Sequence, residues 1–118
     1  MMVDRADRQI AVAKWVDETF GRDNLMDIRI RAMRFIEEAF ELVQSFGLPK
    51  EDVLKVMEMT YSREPGVPVQ EFGGVGVTLL AMATACGINA DDCEERELNR
   101  VLSKPKEHFR KRNEEKPQ

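Results

Sequence analysis

Apolar residues recur along this chain at intervals of three and four, the spacing of helices that bury one face. Ile10, Val12, Trp15, Val16 and Phe20 mark a first helix over residues 3–20, which Gly21 stops. A polar turn at Arg22–Asn24 follows, and Asp27 is placed to cap a second helix over 27–46, closed by Gly47 with Pro49 beyond. Val53, Leu54, Val56, Met57 and Tyr61 outline a third helix over 50–60, with Glu51 and Asp52 at its positive end. Two prolines and a glycine make 62–68 a loop. A fourth helix is expected over 69–86, ended by Gly87. Asn89 caps a fifth, whose sparse apolar positions are Cys93, Leu98, Val101 and Leu102. Nothing reads as a strand, so the fold class is all-α: a bundle of about five helices over residues 1–104. Beyond Pro105, residues 105–118 read as a polar, basic C-terminal tail, a frayed and solvated terminus.

The second helix is the unusual one. Met33, Phe35, Ile36, Ala39, Phe40, Leu42, Val43 and Phe46 fall in one half of its wheel, and Glu37, Glu38 and Glu41 in the other. Glu38 and Glu41 are three residues apart and stand one above the other, where like charges repel by a few tenths of a kcal/mol. Arg31 and Arg34 share that polar face and could offset the repulsion. A bound cation could do the same, so the spacing leaves a solvated face and a metal site both open.

Composition narrows the classes. The 118 residues are 42% apolar and 34% charged, which suits one globular domain with a core. A net charge of −4 speaks against a binder of nucleic-acid polymers, which wants a basic face. Cys86 and Cys93 match no zinc spacing and read as plain thiols of a reducing compartment. Charged residues interrupt the N-terminus, and the apolar run from Val75 to Ile88 is too short and glycine-rich to span a bilayer. The expectation is a cytoplasmic protein with no membrane partner.

Inside the fourth helix stand Gly73, Gly74 and Gly76, each costing about 1 kcal/mol relative to alanine. Glu71, Gly74, Thr78, Ala81 and Ala85 form a narrow strip of mostly small side chains along it. Such a strip admits either another helix or a ligand close to the backbone. Glu71 at its head would add a third carboxylate to Glu38 and Glu41. Mg²⁺ takes oxygen ligands in octahedral geometry and keeps water or phosphate oxygen, which that set suits. His108, the one histidine, lies in the tail, which disfavours histidine-based chemistry.

Two stretches carry a resemblance: Arg34-Phe35-Ile36-Glu37-Glu38-Ala39-Phe40-Glu41-Leu42, and Gln70-Glu71-Phe72-Gly73-Gly74-Val75-Gly76-Val77-Thr78-Leu79-Leu80 running on to Gly87-Ile88-Asn89. Together they resemble the MazG-like all-α nucleoside triphosphate pyrophosphohydrolases, in particular small single-domain members of the phage and prophage type. The resemblance implies a MazG-like bundle whose four-helix core is completed by oligomerisation, as a homodimer or homotetramer. It implies conversion of a (deoxy)nucleoside triphosphate to monophosphate and pyrophosphate with Mg²⁺, Mn²⁺ being a possible substitute. Carried over by position, Glu38, Glu41 and Glu71 would ligate the metal. Glu37, Glu38 and Glu41 would form the catalytic set, with Glu37 as a further ligand or the base for water. Arg34, Arg63 and Lys104 are the cations assigned to the substrate. The family pattern has an aspartate where this chain has Gly74, and Glu97 and Val101 stand where basic or amide residues are common. The alternative implied by Gly74 is a catalytically weakened relative that binds a nucleotide or a protein partner. A third reading is a purely structural helical dimer with solvated carboxylates.

Overall fold

The computed structural model describes residues 4–118, and every regular element among them is a helix: α1 (Arg5–Phe20), α2 (Arg22–Leu25), α3 (Ile28–Ser45), α4 (Lys50–Tyr61), α5 (Pro68–Ala85), α6 (Ala90–Ser103) and α7 (Lys106–Glu114). The all-α expectation holds, with seven helices in place of about five. The additions are the single turn α2 and the tail helix α7. The chain divides into two units, one holding the residues up to Phe35 together with Asn89–Gln118, the other Ile36–Ile88.

The first unit is built on α1. Asp4 caps it by accepting from the Asp7 amide at 2.8 Å, and Gly21, at φ 93°, ends it with its own N–H on the Asp17 carbonyl. Only three described residues are buried, and all three lie on α1: Arg8, Val16 and Thr19. Val16 supplies the apolar centre, while Trp15 meets Phe20 and Phe109 edge-on at ring separations of 5.8 and 5.0 Å. Arg8 is closed in by α6: its guanidinium donates to Glu94 at 2.7 Å and to Asp91, and Arg5 adds a second contact to Glu94 at 3.2 Å. Glu94 first, then Asp91, hold the Arg8 guanidinium more basic than usual, so the ion cluster stays charged wherever the carboxylates do.

The 105–118 segment, expected as a solvated tail, instead forms α7 and packs on α1. Pro105 sets the extended entry (φ −60°, ψ 139°), and Phe109 provides the one large apolar anchor against Trp15. Arg110 donates to the Thr19 carbonyl at 2.8 Å and the Glu18 carbonyl at 3.3 Å, so a cation satisfies the open acceptors at the C-terminal end of α1. Lys106 adds a pair to Glu18 at 3.5 Å. A single aromatic among charged residues is too little periodicity to announce a helix. Its stability comes from docking.

In the second unit two turns follow one plan. At Gly47 (φ 82°) the Leu48 amide reaches the Val43 carbonyl and the Gly47 amide the Gln44 carbonyl; Gly87 (φ 67°), Ile88, Ala83 and Thr84 repeat the pattern. Both are Schellman closures, which need a residue free to adopt positive φ. Pro49 leads into α4 and Pro68 occupies the first turn of α5. Within this unit α3, α4 and α5 do not pack closely on one another, and none of residues 36–88 is buried.

Two outcomes test this account. Phe109→Ala is expected to cost about 2 kcal/mol, less than a full core deletion because the ring is half-buried. Urea denaturation followed by the emission of Trp15, the one tryptophan, measures it. The second concerns Glu97, whose carboxyl is held below the usual range mainly by its bond from Arg100. A lowered folded-state pKa stabilises above the unfolded carboxylate value, near pH 4.3, and that contribution disappears as pH falls through the folded value. Since the pair is largely exposed, Glu97→Gln is expected to cost no more than about 0.5 kcal/mol at pH 7. At acid pH, with both forms neutral, the difference should close.

Candidate functional site

The acidic residues lie where their helix places them. Asp27 caps α3 by accepting from the Ile30 amide at 3.0 Å, which fixes the helical phase from its first turn. Glu38 and Glu41 are then exposed on the second unit's part of α3, and Glu37 is half-buried beside them. Glu71 is exposed in the first turn of α5. Its carboxylate folds back over the preceding loop, so that a Cβ added at Gly66 would lie 2.6 Å from Oε1. Gly66 is thus the one glycine of this unit whose missing side chain makes room for something.

The glycines inside α5 behave differently. A Cβ at Gly73, Gly74 or Gly76 would meet nothing within 4 Å. Thr78 donates back to the Gly74 and Val75 carbonyls at 3.0 and 3.1 Å, a bond that loads the backbone acceptors of the strip without filling it. Among the described residues, nothing within the second unit fills the space beside these three glycines.

Among the described residues, no three histidine, cysteine, aspartate or glutamate side chains form a group that could hold a metal ion. Glu38 and Glu41 supply the hard oxygen donors that Mg²⁺ takes. Glu71 is not brought to them, because α3 and α5 do not pack on each other. The donor chemistry suits the ion, but a single chain does not assemble the set.

The three assigned cations belong to different units. Arg63 is exposed in the loop of the second unit. Lys104 and Arg34 belong to the first. Lys104 is exposed at the end of α6, and Arg34 is half-buried and engaged: it donates to the Asn113 side-chain oxygen at 3.0 and 3.2 Å and to the Pro117 carbonyl at 2.9 Å. Sequence reasoning did not find this tie between α3 and the C-terminal segment, because nothing in the spacing of Asn113 marks it as a partner. Arg31, which donates to Asn24 at 2.7 Å, is made less basic than usual, chiefly by burial and then by the nearby Arg34 charge. Glu97, on α6, is paired with Arg100 at 2.7 and 2.8 Å.

No family model, curated protein or solved structure matches the chain. Its function is therefore argued from the residues themselves.

Position 74 gives a direct structural test. Because a side chain there meets open space, Gly74→Asp is expected to fold as the parent does, with a thermal midpoint within a few degrees. A loss of helical circular dichroism would show that the strip is occupied in solution.

Proposed function

We propose that the chain is a Mg²⁺-dependent nucleotide pyrophosphohydrolase of the MazG-like kind, acting on a (deoxy)nucleoside triphosphate. The observation that carries this reading is the pair of exposed carboxylates one turn apart on α3, Glu38 and Glu41, matched by Glu71 at the head of a glycine-interrupted helix. In this proposal Glu38, Glu41 and Glu71 hold the metal, and Mn²⁺ can substitute. The metal's contribution when bound is to screen the triphosphate charge. The chain's own part is to position the reaction: Glu37 takes a proton from the attacking water, and Arg63 pairs with phosphate oxygens. The proposal includes an oligomeric bundle, a homodimer or homotetramer, since one chain leaves the carboxylate set ungathered. Arg34, held by Asn113 and Pro117, contributes to substrate only by giving up those partners.

Gly74 favours a second reading, a weakened relative that retains binding and has lost turnover. A carboxylate missing from the donor set lowers site charge and with it metal affinity.

Pyrophosphate release from a panel of ribo- and deoxynucleoside triphosphates with Mg²⁺ or Mn²⁺ separates the two. The enzyme reading expects turnover that Glu38→Gln lowers by at least about 100-fold, the scale of metal-site losses. No turnover on any nucleotide rejects it. Nucleotide-dependent thermal stabilisation without product, together with turnover appearing in Gly74→Asp, would establish the second reading.

A further inference from the structure

Two cations of the first unit lack an anion. Arg31 and Arg34 stand one turn apart on α3, where like charges repel. Among the described residues neither guanidinium makes an ion pair, and Asp27 offsets the repulsion at Arg31 only through its field. Arg31 donates to Asn24 from Nη2, while its Nε–H is enclosed with no acceptor. A buried donor left unmade costs more than a made bond contributes.

Arg34 is held by oxygens that carry no charge. Its Nε and Nη2 converge on one atom, Asn113 Oδ1, at 3.2 and 3.0 Å, and Nη1 donates to the Pro117 carbonyl at 2.9 Å. That Nε–Nη2 edge matches two oxygens of a carboxylate or phosphate, one for each N–H. Here it shares a single amide oxygen, and bonds to an ionised acceptor are roughly twice as strong. The segment after α7 is lightly built. Glu114, Glu115, Pro117 and Gln118 are exposed, and the Gln118 side chain bonds back to the Asn113 and Lys116 carbonyls. Helix α7 has its own anchors on α1, Phe109 against Trp15 and Arg110 on the Thr19 carbonyl. Residues 113–118 can therefore leave Arg34 while the helix stays docked.

We propose that residues 113–118 are a latch on Arg34 that a phosphate-class oxyanion opens: the anion takes the Nε–Nη2 edge in place of Asn113, draws on Arg31 as a second donor, and releases the Pro117 carbonyl. The inference deepens the proposed function and rests on its assignment of Arg34 to substrate, but it needs neither metal nor turnover. The latch makes the segment after α7 a competitor of the anion, so weakening one strengthens the other.

NMR of the nitrogen-labelled full chain tests this, with inorganic tripolyphosphate as the probe and no divalent metal present. The Nε–H signals of Arg34 and Arg31 should shift, and the amides of residues 114–118 should lose order, in one saturable event. Asn113→Ala removes the competitor and should lower the dissociation constant at least about threefold, the scale of one net hydrogen bond. Asn113→Asp offers Arg34 a charged partner and should raise it at least about threefold while ordering the segment further. A purely structural Asn113 would move both variants in the same direction. Arg34→Gln should free the segment without any anion and abolish the shift at Arg31. Unchanged order in 114–118 at saturation would overturn the latch. So would Asn113 variants that shift affinity the same way, or arginine signals that do not respond to millimolar tripolyphosphate. Hydrolysis is not read, so failure of the pyrophosphate assay and failure of the latch are separate results.

Discussion

An apolar helix cannot remain bare in water, and in this chain α5 is such a helix. Its eighteen residues hold one charge, and within residues 36–88 no other helix packs on it. Burial is the dominant favourable term in folding, so a unit without it has little to oppose the entropy of ordering its backbone. The first unit meets this demand with Val16, the Trp15 contacts to Phe20 and Phe109, and an ion cluster closing over Arg8. The second meets only the local requirements of helices: Schellman turns, prolines at entries and threonine back-bonds. Local rules shape its segments without holding them together.

The same imbalance governs the candidate chemistry. Glu38 and Glu41 are brought together by one helix, at no cost in tertiary structure. Glu71 is a separate matter, since it depends on α3 and α5 approaching, and packing between helices is what a single chain of residues 36–88 lacks. Any chemistry requiring all three carboxylates therefore requires that approach first. Packing and site then become one thermodynamic problem, because whatever binds the gathered carboxylates also stabilises the packing that gathers them.

Helix boundaries were legible in the sequence because their signals are local. Asp27 and Asn89 cap the helices they precede, and Gly21, Gly47 and Gly87 end theirs at positive φ. Helix α7 was not legible: its stability rests on Phe109 meeting Trp15 and on Arg110 reaching the end of α1, contacts that no window of neighbouring residues contains. The capture of Arg34 by Asn113 and Pro117 was hidden for the same reason. The i, i+3 pair at Glu38 and Glu41 could be read directly. The position of Glu71 relative to it is a tertiary fact, and periodicity does not encode it.

The bond from Arg110 to the Thr19 carbonyl spans 91 positions of sequence. A ribosome makes Thr19 91 positions before Arg110, so until Arg110 emerges the end of α1 faces water without that donor on its acceptors. The apolar helices of residues 36–88 emerge in that interval, before the first unit has closed. Residues 36–88 are therefore complete as a segment before the unit whose two parts flank them can close.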